Sequence, residues 1–554
     1  MDAMQRLEAA DAVRRLWAKD GTLFTDEPEA QARAGQWLGW LGLASAADPV
    51  GTEARDLAVI AEQNLVDDFV LLGMGGSSLA PLVISRILAD APAHPRLHVL
   101  DTTAPAVVLD VLEQLEGLST WVIVSSKSGT TIEPLSLYAV FREWMEGRVV
   151  DEPAGRHFLA VTDAGSSLDR LAREEGFRTV FHAPPDVGGR YSALTPFGLV
   201  PAQLVRADTT ALVESARRME ALCRASGGGN PGAALAAFAI DAREAGRDKL
   251  TLATSDRLRP FGLWVEQLIA ESTGKHGTGI VPVLETTPQI PTGFRADRAV
   301  VVFRFEDDDK LASWADVARD EGSPVHEIVI TDPVEIGGEF VRWETATALV
   351  GHLLGIDPFD QPNVAEAKEA TSAIIEGRQH APAPAFSVNG DIEVTYGGPL
   401  KTPAAHPALA EALDPLLDSM KAGDYLAMLV YLPEREDLLQ PLRQAGRVVE
   451  AATGRAVCFE LGPRYLHSTG QLHKGGADEG AFLMITAHSE EDLAIPGKPY
   501  SVAALWRAQA AGDLATLAAH GRRVMRVDLA RPEQHLVRSV ADTLSAVARS
   551  AIKA

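Results

Sequence analysis

Residues 68–81 read DFVLLGMGGSSLAP, an apolar run that ends in a glycine-rich turn and leads into the helix-like LVISRILADA. A strand, a tight turn and a helix start in that order form a cradle for an anion, because backbone N–H groups and the helix N-terminus converge on one point. Two kinds of phosphate fit. A dinucleotide fingerprint, G-x-G-x-x-G with an acid at the end of the next strand, would use Asp101 in RLHVLDTTAP. Gly73 and Gly75 supply its first two glycines, but Gly76, Ser77 and Ser78 follow and the third is missing. Another phosphate ligand, or a tight turn with no ligand, fits this stretch equally well.

Outward from this turn, short apolar runs alternate with helix-length segments: VDDFVLLG, RLHVLD, STWVIVSS, HFLAVTD and RTVFHAP. That alternation predicts a parallel sheet in an α/β layer. A second series, KLTLATS, AVVVFRF and HEIVIT, begins after the break ASGGGNPG at 225–232. Beyond the Pro-rich HAPAPAF at 380–386 come DYLAMLVYLP, RAVCFELG, GAFLMITA and RRVMRVDL, closed by the helix-like PEQHLVRSVADTLSAVARSAIKA. The expected class is α/β, with two doubly wound parallel-sheet domains and a third α/β-like region. The expected division is a helical segment at 1–60, with WLGWLGLASAA as its apolar face, domains at 61–224 and 225–380, and a C-terminal region at 385–554.

A chain of 554 residues has room for two or three buried cores. Its 46% hydrophobic and 23% charged content is that of a soluble globular protein, and no segment has the length and purity of a membrane span. The formal charge of −25 argues against a nucleic-acid partner, since phosphate backbones are bound through clustered Lys and Arg. The start, MDAMQRLEAADAVRRLWAKDG, is charged throughout, so neither a secretory signal nor a transit peptide is expected, and a cytoplasmic setting is. Cys223 and Cys458 read as buried thiols of a reducing compartment, and neither has metal-ligand spacing.

WVIVSSKSGTTIEP, 121–134, sets a second hydroxyl-rich turn directly after a strand. Ser126, Ser128, Thr130 and Thr131 can donate hydrogen bonds, Lys127 adds charge and Gly129 permits close approach. Helix capping is the plainer alternative. Loops after parallel strands lie at one sheet edge, so the two turns can share one anion, and a monophosphate such as a sugar phosphate needs both where a dinucleotide does not.

Four further stretches carry groups able to do chemistry: VGGRYSALTPFG (187–198), WVEQLIAESTGKHGTG (264–279), FDQPNVAEAK (359–368) and LHSTGQLHKGG (466–476). Glu271 falls near the end of an amphipathic helix, where the dipole disfavours a carboxylate and suits a base. Taken singly, each has a plain reading. Glu271 and Lys275 form an i,i+4 surface pair, Arg190 a structural ion pair, Lys368 a solvated face beside Glu366 and Glu369, and His467 and His473 loop histidines.

As a set they are not plain. GMGGSSLAP, SSKSGTTIE, VGGRYS and ESTGK resemble the phosphate loops and signatures of the phosphoglucose isomerase family, over most of residues 65–380 and again at 466–476. FDQPNVAEAK is similar to the segment with that family's catalytic lysine, which falls on Lys368, and LHSTGQLHKGG to the segment with its catalytic histidine, which falls on His467. In the family at large the histidine segment precedes the lysine segment; here it follows by about a hundred residues, an order that resembles the isomerase half of bacterial transaldolase–phosphoglucose isomerase fusions. No transaldolase half is visible in this sequence.

The resemblance implies two SIS-type sugar-isomerase domains and reversible aldose–ketose isomerisation of glucose 6-phosphate to fructose 6-phosphate through a cis-enediol, without a metal or organic cofactor. It assigns Gly76, Ser77, Ser126, Lys127, Ser128, Thr130 and Thr131 to the phosphate. Glu271 becomes the base, His467 and Lys368 the ring-opening groups, Arg190 the stabiliser of the enediolate and Gln267 a sugar ligand. A homodimer is the family's ordinary assembly, its histidine segment reaching into the neighbouring subunit's site; here the histidine's own attached region is expected to deliver it in cis. Competing readings are acceptance of mannose 6-phosphate, with Thr273 standing where many members carry Asn; a silent sugar-phosphate regulator; and a dinucleotide-dependent oxidoreductase.

Overall fold

Apolar runs become central strands when helices cover both sheet faces. A computed structural model describes residues 1–46, 48, 50–88, 95–150, 152–285, 297–403 and 407–551. Strands β1 (Asp68–Leu72), β2 (Arg96–Leu100), β3 (Thr120–Ser125), β4 (Phe158–Asp163) and β5 (Thr179–Ala183) form a parallel sheet in the order β2-β1-β3-β4-β5. Every position of β1 and β3 is buried. From β1 the chain passes to β2 on one side and then to β3 on the other. The loops after β1 and β3 therefore flank the reversal of strand order, where open parallel sheets bind ligands.

A second parallel sheet holds β6 (Lys249–Thr254), β7 (Val281–Glu285), β8 (Arg298–Phe305) and β9 (Val325–Ile330) in the order β7-β6-β8-β9. Strand β7 is unannounced in the sequence, because VPVLE is short and contains a proline. One hydrophobic core joins the two sheets and includes Phe69, Trp121, Leu252, Trp264 and Val301.

The third sheet contains β10 (Phe386–Val388), β11 (Ile392–Gly397), β12 (Tyr425–Tyr431), β13 (Ala456–Leu461), β14 (Gly480–Ala487) and β15 (Arg523–Leu529), in the order β10-β11-β15-β14-β12-β13. The four expected strands, β12 to β15, are parallel; β10 and β11 add an antiparallel hairpin at one edge. Its turn contains Asn389-Gly390, both left-handed, which is a hairpin signal in plain view. Side-chain alternation splits β12 between two cores. Leu426, Met428 and Val430 pack within the third region, while Tyr425, Ala427 and Leu429 share a core with Val281 and Val283 of β7 and with Ala270. Edge strand β7 lies beside edge strand β13, and the Cys458 thiol reaches within 3.6 Å of the Pro282 carbonyl.

The N-terminal segment corrects one expectation. Helices span Ala3–Ala9, Ala12–Trp17, Pro28–Gly35 and Thr52–Gln63, but residues 37–46 of WLGWLGLASAA form turns instead of a helix. Tertiary contact overrides the apolar pattern there: Leu38 bridges Val187, and the Gly39 N–H donates to the Asp186 carbonyl at 3.0 Å. Among the described residues no helix is long and apolar enough to cross a membrane, and Cys223 and Cys458 are free buried thiols.

Helix packing gives a stability test. The helix Ile336–Leu354 crosses Thr209–Arg224 so closely that a Cβ on Gly337 would lie 2.0 Å from the Leu212 carbonyl oxygen. Gly337→Ala should destabilise the fold by about 1–3 kcal/mol, the usual cost of overpacking. An unchanged urea midpoint would show that this crossing relaxes freely.

Candidate functional site

The two glycine-rich turns meet at the carboxyl edge of the first sheet. After β1, Gly75 takes a left-handed φ of +54° at the head of a 3₁₀ turn, Gly75–Ser77. After β3, Gly129 takes +68° within the hydroxyl-rich turn. The Ser125 hydroxyl donates to the Ser77 carbonyl at 3.1 Å and joins the loops. Within the second turn, Ser126 and Thr131 hydroxyls lie 3.1 Å apart and those of Ser128 and Thr130 2.9 Å apart. Lys127 turns aside: its ammonium pairs with Asp163 at 2.7 Å and lies over the Trp37 ring.

Arg190 is brought to these loops by backbone contact. A Cβ on Gly76 would fall 2.0 Å from the Gly189 carbonyl oxygen, so only glycine lets the first phosphate turn sit on the 3₁₀ turn Gly189–Tyr191. The buried Arg190 guanidinium donates to Ser272 Oγ at 2.8 Å, to the Pro358 carbonyl at 2.6 Å and to Gln361 Oε1 at 3.3 Å. Its Nη1 lies 3.5 Å from Glu271 Oε1.

Glu271 and Gln267 stand one turn apart on the helix Arg259–Thr273, both buried. Gln267 Nε2 donates to Glu271 Oε2 at 3.2 Å and to the His467 carbonyl at 2.8 Å. Its Oε1 is buried without a partner. The surface-pair reading of Glu271 and Lys275 is overturned. Lys275 is fully buried and donates to the Asp357 and Asp360 carbonyls and to Asp360 Oδ1 at 2.6–2.8 Å, which anchors the FDQPN segment. Burial and the nearby Arg190 charge bring its ammonium down to about 8, against the opposing pull of Asp360. Thr273 is turned inward, its hydroxyl bonded to the Ile269 carbonyl at 2.8 Å and to the Ile280 N–H at 3.0 Å.

His467 lies in a 3₁₀ turn, Arg464–His467, and His473 in a short helix, Gly470–Gly475, so neither is a loop histidine. His473 is buried against Glu460 at 3.3 Å, away from the site. His467 Nε2 lies 2.8 Å from Glu133 Oε1. Glu133 is a partner the sequence reading missed: an acid in the first turn of the helix Ile132–Glu146 reads as a dipole ornament. Burial alone would raise its carboxyl, but the charge and hydrogen bond of His467, with Lys368 adding, hold it below the ordinary range. Gln471 is a second missed residue. Its Nε2 donates to the Gly274 carbonyl and to Asn363 Oδ1, each at 2.9 Å, and its Oε1 accepts from the Asn363 backbone N–H at 3.0 Å, which locks the histidine segment onto ESTGK and FDQPN together. Lys368, on the helix Val364–Ile375, is exposed, with its charge felt at Glu133.

The dinucleotide acid is occupied: Asp101 accepts two hydrogen bonds from Arg464 at 2.7 Å. A separate cleft of about 490 Å³, lined by Arg259, Glu266, Glu450 and Arg464 among others, contains none of the catalytic candidates. No group of three or more His, Cys, Asp or Glu able to hold a metal ion occurs among the described residues.

A family model for phosphoglucose isomerase matches residues 60–290. A glucose-6-phosphate isomerase of Heliobacterium modesticaldum is 31% identical over 367 residues, covering 56% of this chain and 80% of that protein. The chain belongs to the phosphoglucose isomerase family. A glucose-6-phosphate isomerase of Rubrobacter xylanophilus is 29% identical over 360 residues, with 55% of this chain and 82% of the relative covered. Among solved structures, a hypothetical protein of Thermus thermophilus superposes with a TM-score of 0.59 at 27% identity over 67% of this chain and 95% of the other. A glucose-6-phosphate isomerase of Chlamydia trachomatis, 20% identical, shares the fold at a TM-score of 0.55 over 68% of this chain and 87% of its own.

The Gly76–Gly189 contact is the tightest constraint on these two turns. Gly76→Ala should separate the first loop from the Arg190 turn and weaken binding of a hexose 6-phosphate by about tenfold or more, equivalent to about 1.4 kcal/mol. Calorimetric titration reads this directly; unchanged affinity would mean that the loop does not touch the ligand.

Proposed function

We propose that the chain interconverts glucose 6-phosphate and fructose 6-phosphate through a cis-enediol. The observation that carries this reading is Gln267, whose amide donates both to Glu271 and to the backbone of His467 and so seats a base and a ring-opening group over the two phosphate loops. The phosphate rests on the backbone at Gly76 and Ser77 and on the hydroxyls of Ser126, Ser128, Thr130 and Thr131, with Lys127 acting at a distance, and this anchoring places the reacting carbons. A silent regulator would need the loops but not the rest.

Ring opening moves one proton onto the ring oxygen and one off the anomeric hydroxyl. With Glu133 ionised, His467 Nε2 carries the hydrogen it donates, which leaves Nδ1 for exchange with the sugar. Lys368 is the second group for this step, reaching it from the exposed face of its helix. Glu271 then takes the C2 proton while the electron pair moves through C1 to O1, which gains a proton to give the cis-enediol. O2 next gives up its proton, C2 becomes the carbonyl and Glu271 returns its proton to C1, so C1 is reduced by the pair that C2 loses and the net charge is unchanged. Arg190 faces the developing negative charge, a kind of contact whose loss costs about 3–4 kcal/mol. Thr273 spends its hydroxyl inside the protein, so it offers the sugar nothing that would admit mannose 6-phosphate. Two buried free thiols support a cytoplasmic setting.

Glu271→Gln should lower turnover by about 10²–10⁴-fold, the range of a lost acid–base group. Binding of a five-carbon phosphosugar acid, which mimics the enediolate, should stay within a few-fold. Near-normal conversion of fructose 6-phosphate would sink the assignment.

The His467–Glu133 contact lies within one chain. Mixing inactive Glu271→Gln chains with inactive His467→Ala chains, under conditions that exchange subunits, should therefore restore no activity. Recovery would mean that the histidine crosses between subunits.

A further inference from the structure

The Glu133 carboxylate has a second donor from the C-terminal region. Gln509 Nε2 lies 2.7 Å from Glu133 Oε1, the oxygen that His467 also reaches. The amide cannot be turned round, because an ionised carboxylate only accepts, and the far end of Gln509 is occupied: Thr103 Oγ1 donates to its Oε1 at 2.6 Å. Thr103 and Gln509 are both buried, as is Glu133. The other Glu133 oxygen is buried with no hydrogen-bond partner, so both of its side-chain donors meet at Oε1.

The helix that carries Gln509, Val502–Ala519, also holds the histidine. One turn further along, Asp513 accepts from the Tyr465 hydroxyl at 2.7 Å and pairs with the Lys474 ammonium at 2.6 Å, both members of the segment around His467. A single helix face thus grips Glu133 at one position and the His467 segment at the next.

We propose that Gln509 is a positioning residue for the proposed isomerisation, holding Glu133 so that His467 keeps its proton on Nε2 and turns Nδ1 to the substrate. The inference rests on the isomerase reading for its catalytic meaning, but the arrangement itself exists without substrate. A fixed second partner on Oε1 keeps that oxygen facing Nε2, and so sets the ring's tautomer and plane. Lys368 from the helix Val364–Ile375 and Tyr431 from β12 also face Glu133.

The test combines kinetics with nitrogen-15 spectra of the histidine ring. Gln509→Met should lower kcat by about tenfold or more while KM stays within about twofold, the pattern of a group needed in the transition state alone. In the substrate-free protein the His467 ring nitrogens, assigned by comparison with His467→Ala, should lose the single Nε2–H tautomer and shift toward a mixture. Thr103→Val, which removes only the hydroxyl that orients the amide, should fall between wild type and Gln509→Met and decides the matter if the latter does not fold. Lost turnover with an unchanged tautomer would make Gln509 a packing residue and overturn the proposal, as would no change in either readout. Failure of the isomerase reading would look different: the wild type would not convert the sugar, yet the tautomer would still depend on Gln509.

Discussion

A carboxylate buried beside a histidine is the constraint on which this site depends. Burying charge is costly unless partners meet it, and the partners of Glu133 come from the third region: the imidazole of His467 and the amide of Gln509, with the Lys368 charge nearby. Glu133 itself belongs to the helix that opens from the second glycine-rich turn. Its burial therefore requires that the third region be docked, and docking in turn presents His467 beside the loops of the first sheet.

The second sheet domain supplies the remaining side of the site by the same logic. Its helix Arg259–Thr273 ends where Gln267 and Glu271 face Arg190, and the FDQPN segment is fastened there by Lys275 and by Gln471. Lys275, Gln471 and Arg190 each bond a backbone carbonyl of another element. A carbonyl fixes position without adding a competing charge, and the charged contact made by the base itself is Arg190 at 3.5 Å.

The fold was legible where local pattern and tertiary role agree. Runs such as WVIVSS and LAMLVYL are buried on both faces and read as strands. Legibility failed where a long-range contact decides. WLGWLGLASAA has a helical apolar pattern, yet its turns are set by Val187 and Asp186, far along the chain. Loop glycines, Arg190, Gln267, Glu271 and His467 could be singled out because their motifs are dense. Glu133, Gln471 and Gln509 could not, since an acid in a first turn and glutamines in helices have ordinary surroundings in sequence, and their meaning comes from residues hundreds of positions distant.

The adjacency of β7 and β13 bears on solubility. Each is the outermost strand of its own sheet, and an open edge is a template on which other molecules can add strands. Here the two edges shelter each other, with Val281, Val283, Ala456 and Cys458 in one shared core. The C-terminal region is thus a guard as well as a donor of side chains: cutting it away would uncover one edge on the part that remains and another on the part removed, leaving both fragments prone to aggregate.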